Sequence, residues 1–120
     1  MKKIKMKKKG FTLMETMVTF VILGILASVA IPAYQNVMRD TRIKDAETNL
    51  LLLFTAEKIY RNEIGNYYAG ANAGLLNTNL NTGIIAGSTG YSCTVLACTA
   101  DGGSFTREVD ITLAAPVVYE

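Results

Sequence analysis

The feature that most restricts what this chain can become is an apolar run opening at its eleventh residue. Phe11–Ile31 is apolar apart from Thr12, Glu15, Thr16, Thr19 and Ser28, and Val18–Ile31 is almost wholly aliphatic. A helix needs about 20 such residues to cross a hydrocarbon core of about 30 Å. Six of the twelve basic residues precede the run: Lys2, Lys3, Lys5, Lys7, Lys8 and Lys9. Lysines on one flank of an apolar helix mark the cytoplasmic side. The expectation is therefore a single membrane pass with Met1–Gly10 inside and everything after Ile31 outside.

That asymmetry also explains the charge. The formal net charge is +2, but without residues 1–10 six basic residues face ten acidic ones, a net of −4. A nucleic-acid-binding domain carries its positive charge on a folded face, so no nucleic-acid partner is predicted for the monomer. The chain has no histidine and only two cysteines, Cys93 and Cys98. That excludes a Cys–His or Ser–His nucleophile and argues against a zinc site. No catalytic, cofactor or metal site is expected, and the prediction is that the protein is not an enzyme.

Beyond Pro32, residues 33–64 contain no glycine or proline and many good helix formers. Ile43, Ala46, Leu50, Leu53, Tyr60 and Ile64 recur at three- and four-residue spacing and form one apolar stripe, which Glu57 interrupts. The other side carries Arg39, Asp40, Arg42, Lys44, Asp45, Glu47, Lys58, Arg61 and Glu63. One long helix from about Thr12 to Glu63 is predicted, kinked at Pro32. At 1.5 Å per residue it would be about 80 Å long. Gly65-Asn66 favours a left-handed C-cap.

Tyr67–Gly90 reads as a long loop with one short strand at Gly83–Ala86. Tyr91–Thr99 and Phe105–Leu113 read as strands flanking the hairpin turn Asp101-Gly102-Gly103-Ser104. In the second, Phe105, Arg107, Val109, Ile111 and Leu113 alternate with polar residues, giving one buried and one wet face. Pro116–Tyr119 suits a final edge strand. The predicted fold class is α+β: a long N-terminal helix, half hydrophobic and half amphipathic, packed on a small antiparallel sheet. Chain length allows one modest core.

Cys93 and Cys98 form a candidate disulfide with an awkward spacing. Five residues of extended chain span roughly 16 Å against the ~6 Å between Cα atoms that a disulfide tolerates. Odd spacing also points the two side chains to opposite faces of a strand. Either Thr94–Ala97 bends sharply or the cysteines are not bonded to each other.

The N-terminus narrows the reading most. In Lys7-Lys8-Lys9-Gly10-Phe11-Thr12-Leu13-Met14-Glu15 a basic leader ends in glycine, phenylalanine opens the apolar helix, and a carboxylate sits near its start. From Lys7 to about Tyr34 the chain resembles the class III signal of type IV prepilins, including the pseudopilins of type II secretion. More loosely, Ala56-Glu57-Lys58-Ile59-Tyr60 followed by Gly65-Asn66-Tyr67 is similar to the end of the long helix in short bacterial pilins. Residues 68–120 carry no such motif.

The resemblance implies a cleaved leader (1–10), a transmembrane and filament-core helix (11–32) and an extracytoplasmic pilin head (33–120). It implies that a prepilin peptidase cuts between Gly10 and Phe11 and methylates the new amine of Phe11. A carboxylate at the centre of a bilayer helix costs about 2.5–3.5 kcal/mol and usually has a partner. On the resemblance, Glu15 of one subunit neutralises the Phe11 amine of its neighbour in a homo-oligomeric helical filament. An inner-membrane assembly platform with a cytoplasmic ATPase would draw subunits from the membrane. The product would be a surface filament, or a periplasmic pseudopilus. Gly24 and Pro32 bracket the stretch where pilin helices loosen on packing. The tasks implied are adhesion, motility, DNA uptake or secretion, by a major pilin, a minor pilin or a pseudopilin. Ser28-Val29-Ala30 also satisfies the small-residue rule for an ordinary secretory signal. Cleavage after Ala30 would leave a small secreted protein, but that alternative leaves Glu15 unexplained.

Overall fold

The computed structural model describes residues 10–120, so the lysine cluster expected to set topology lies outside the described residues. The chain divides into two units, one ending at Val37 and one spanning Met38–Glu120. The elements in chain order are α1 (Leu13–Ile64), α2 (Ala73–Leu80), β1 (Gly90–Cys93), β2 (Ala97–Asp101), β3 (Thr106–Asp110) and β4 (Val118–Tyr119). This is the α+β layout expected from the sequence, and α1 lies within a residue of its expected bounds at each end.

In the first unit α1 opens on a side-chain cap. Thr12 Oγ1 accepts from the Glu15 amide at 3.2 Å, taking one of the amides that a helix start leaves without an intrahelical partner. Glu15 then lies in the first turn, where a carboxylate complements the helix dipole. α1 runs through Pro32, which removes the N–H that would bond the carbonyl of Ser28. From Gly10 to Arg42 every residue is exposed.

The second unit is built on the remainder of α1, whose inner face is Ala46, Leu50, Leu53, Phe54 and Glu57. The first four join Leu76, Ile84, Tyr91, Cys93, Cys98, Ala100, Phe105, Val109 and Ile111 in one core. Fully burying a side chain of leucine or valine size contributes about 1.5–3 kcal/mol, and Leu50, Leu53, Leu76, Val109 and Ile111 are all wholly inaccessible. The expected stripe fades in the last turns: Tyr60 is only half-buried and Ile64 is exposed. Glu57, expected to interrupt the stripe, instead lies inside it. Gly65, at φ 93°, ends α1 with its N–H on the carbonyl of Arg61 at 2.7 Å.

The four strands form an antiparallel meander in the order β1-β2-β3-β4. The Asp101–Ser104 turn joins β2 to β3, and Phe105, Val109 and Ile111 are buried as their alternation requires. β4 pairs with β3 at the edge, with Val109 opposite Val118. Gly70 adds a bridge outside β1, exchanging both hydrogen bonds with Cys93 at 3.0 and 2.8 Å. A Cβ on Gly70 would lie 2.6 Å from Leu76 Cδ2, so only glycine lets this segment approach α2 so closely.

Three sequence expectations differ from the structure. The loop after α1 contains a helix, α2, capped by Asn72, whose side chain accepts from the Leu75 amide at 3.0 Å. The expected strand at Gly83–Ala86 does not form. Asn77 holds that segment instead: its Oδ1 accepts from the Ile84 amide and its Nδ2 donates to the Ile84 carbonyl, both at 2.7 Å. A side chain thus supplies the pairing that a neighbouring strand would give. The run Tyr91–Thr99, read as one strand, is two. Thr94 Oγ1 accepts from the amides of Leu96 and Ala97 at 3.3 and 3.2 Å, and the Thr94 amide donates to the Ala97 carbonyl at 2.8 Å. That turn makes Cys93 and Cys98 cross-strand partners on one face. They are disulfide-bonded, with Cα atoms 4.0 Å apart.

Candidate functional site

The residues singled out in the sequence fall in two places. Gly10, Phe11 and Glu15 lie together at the start of α1, with Gly24 and Pro32 further along the same unit, whereas Cys93 and Cys98 belong to the second unit. Phe11 is 82 % exposed, and the apolar side chains from Leu13 to Val37 are open to solvent on every face of the helix. A helix that is apolar all round has to be buried in lipid or among other helices. Over its apolar part α1 is long and apolar enough to cross a membrane. Glu15 is the sole carboxylate between Phe11 and Arg39, and among the described residues it forms no ion pair. Sequence reasoning missed its neighbour Thr12, although Thr-x-x-Glu ahead of an apolar run is a helix-start signature.

The second unit holds one buried carboxylate. Glu57 is 0 % exposed. Its Oε2 accepts from the Tyr68 amide at 2.9 Å, while among the described residues Oε1 has no hydrogen-bond partner. Burial pushes its carboxyl above the ordinary value of 4.5, and the bond from Tyr68 only partly offsets this. One carboxylate oxygen and the sulfurs of Cys93 and Cys98 lie within 4.8 Å of one another. The sequence signal was the carboxylate within an apolar stripe. The closeness to the cysteines had none, because 36 residues separate Glu57 from Cys93.

Beside it the surface is cationic and aromatic. Lys58 Nζ and Arg61 Nη1 both donate to the Tyr67 hydroxyl, at 3.1 and 3.0 Å. Lys58 Nζ also sits 5.2 Å from the centre of the Phe54 ring. Burial alone would raise the Tyr67 hydroxyl, but the hydrogen bonds and charges of Lys58 and Arg61 win and hold it below 10.0. Elsewhere Arg107 ties the sheet to α1 and to the chain end, with Glu47 at 3.1 Å and Glu120 at 2.8 Å.

Residues 5–31 match the prokaryotic N-terminal methylation motif. The chain is 39% identical over 66 residues to the type IV major pilin protein PilA of Myxococcus xanthus (strain DK1622), a match covering 55% of this chain and 30% of that protein. It is 30% identical over 130 aligned positions to the fimbrial protein EcpC of Eikenella corrodens, covering 88% of this chain and 84% of that one. With the prepilin peptidase-dependent protein D of Escherichia coli (strain K12) it shares 49% identity over 39 residues, 32% of this chain and 27% of that protein. No solved structure matches the chain. The chain belongs to the type IV pilin family, whose members are structural and not enzymatic. Its helix-first layout and apolar N-terminal helix fit anchoring in a membrane followed by incorporation into a surface filament.

Proposed function

We infer that this chain is a structural subunit of a type IV pilus-like filament, polymerised through the N-terminal part of α1. The observation that carries the reading is a helix exposed and apolar on all sides from Leu13 to Val37 with a single carboxylate, Glu15, in its first turn. Such a surface is satisfied by lipid before assembly and by neighbouring copies afterwards, so transfer between the two replaces one apolar environment with another. A prepilin peptidase cuts after Gly10 and methylates Phe11. The amine freed on Phe11 lies four residues from Glu15, and in a low-dielectric filament core Glu15 of one copy neutralises that amine on the next. The pairing also sets axial register. Loosening of the helix between Gly24 and Pro32 accommodates close packing, because Pro32 has no N–H for the carbonyl of Ser28. The subunit inserts with its leader in the cytoplasm, and an ATP-driven platform in the inner membrane extracts it.

Relatives described as major pilins favour a principal filament subunit over a minor pilin or a pseudopilin. The test is the intact mass of the protein in the fraction sheared from cells, compared with the membrane fraction. A species beginning at methylated Phe11 and abundant in the sheared fraction is expected. The same species confined to membranes would instead indicate a pseudopilin or minor pilin. A soluble product beginning at Ile31 would overturn the filament reading.

A further inference from the structure

Cysteines enter every chain as thiols, so a dithiol form of this protein precedes its disulfide. In that form three side chains able to ligate a metal are available at one place. Cys93 and Cys98 are direct cross-strand partners, both buried, with Cα atoms 4.0 Å apart. Glu57 meets them from α1, and one of its oxygens lies within 4.8 Å of both sulfurs. The Tyr68 amide holds Oε2, which fixes the orientation of the carboxylate much as an outer-shell hydrogen bond orients a metal ligand. Oε1 is buried and among the described residues accepts nothing. A buried acceptor left unmatched is costly, and no neighbouring donor is supplied to match it.

We propose that the dithiol form of this chain binds one thiophilic divalent cation, with zinc the best fit, through Cys93 Sγ, Cys98 Sγ and the carboxylate of Glu57. Zinc takes thiolate sulfur at about 2.3 Å and carboxylate oxygen at about 2.0–2.2 Å in a tetrahedron, which sets ligand atoms about 3.5–3.8 Å apart. The site requires side-chain rotation in the dithiol form to bring all three donors, now within 4.8 Å of one another, to that spacing. Three protein ligands leave the fourth position for a water. Two thiolates select zinc over calcium or magnesium, which prefer oxygen. The disulfide sulfurs are no longer thiolates, so cation and disulfide exclude each other. Oxidation by an external disulfide transfers two electrons from the two thiolates to it, joins Cys93 to Cys98, yields two external thiolates and releases the cation. Until then the cation would hold the β1–β2 hairpin against α1, as the folded unit requires.

The test uses the full chain in detergent, reduced with a water-soluble phosphine, which becomes phosphine oxide as water supplies oxygen to it and protons to the sulfurs. Cobalt(II) is the probe. One equivalent is expected to give sulfur-to-cobalt charge-transfer absorption and intense tetrahedral d–d bands, bleached by zinc. Glu57→Gln, which can still accept from the Tyr68 amide, should weaken cobalt binding by at least ~10-fold, the scale reached by loss of an outer-shell partner alone. Cys98→Ser should remove about half of the charge-transfer intensity per bound cobalt, a control that does not depend on how the Glu57 variant folds. Absence of tetrahedral bands in the reduced wild type would overturn the proposal. So would equal cobalt affinity in the folded Glu57→Gln protein, or equal binding by the disulfide form.

Discussion

Replacing Glu57 by glutamine in the disulfide-bonded chain isolates the least comfortable group in the folded unit. The carboxyl is wholly buried, holds one hydrogen bond and has its proton affinity raised by burial. A group whose folded pKa lies above its unfolded one binds a proton more tightly when folded. Its contribution is therefore fully present below about pH 4.5 and is lost as pH rises through the folded value. Each pH unit by which the folded value lies above 4.5 costs on the order of 1 kcal/mol once the pH has passed that value. Glutamine escapes that cost but leaves an amide where Oε1 stood, itself worth about 1–3 kcal/mol if unmatched. The expected result is that the variant gains on the wild type in melting temperature as the pH rises from 4 to 8. At pH 4 the variant should equal the wild type or fall below it.

Tyrosine fluorescence and near-ultraviolet circular dichroism follow the head during melting, in detergent, from pH 4 to 8. The quantity that decides is the difference between variant and wild type at each pH. Asp110 makes that difference necessary. Hydrogen bonds from the Thr112 hydroxyl and amide hold its carboxyl below 3.8, so its contribution has the opposite sign and is lost as pH falls through the folded value. It cancels between the two proteins. A difference that stays flat from pH 4 to 7 would refute the reasoning, because it would mean that Glu57 carries the same charge in the folded and unfolded chain.

The other expectations are shorter. Glu15→Ala should insert and be cleaved normally yet fail to assemble efficiently, since the Thr12 cap bonds a backbone amide that alanine retains; normal filaments by electron microscopy would remove the proposed role. Gly10→Val should leave an uncleaved precursor in membranes, read by intact mass, and a Cβ at Gly10 meets nothing within 4 Å, so a folding defect would not account for the block. Removing both sulfurs as Cys93→Ser and Cys98→Ser should cost about 2 kcal/mol by loop entropy for so short a ring, measured by urea unfolding of the head. Leu50→Ala should cost about 2–5 kcal/mol in the same assay, because Leu50 is wholly buried in the α1–sheet core.

Each element could be read from the sequence to the extent that its determinants are local. The bounds of α1 follow from absence of glycine and proline on one side of Pro32 and an unbroken apolar run on the other, and both are properties of contiguous residues. β3 follows from the alternation that opens at Phe105, although the strand ends at Asp110, short of the expected Leu113. What escaped was decided by single polar side chains acting on distant or unexpected backbone. Thr94 folds a run of β-forming residues into a turn through its own hydroxyl. Asn77 occupies both backbone groups of Ile84 and so stands in for a strand. Asn72 starts an eight-residue helix in a stretch whose asparagines and glycines argue against one. The same distinction separates the two candidate sites. Gly10, Phe11 and Glu15 are close together in the chain, so their spacing is visible in the sequence. Glu57 meets Cys93 and Cys98 only after Thr94 has turned the chain and the sheet has closed on α1. A periodicity argument can mark Glu57 as misplaced on an apolar stripe, but its neighbours are set by the tertiary fold.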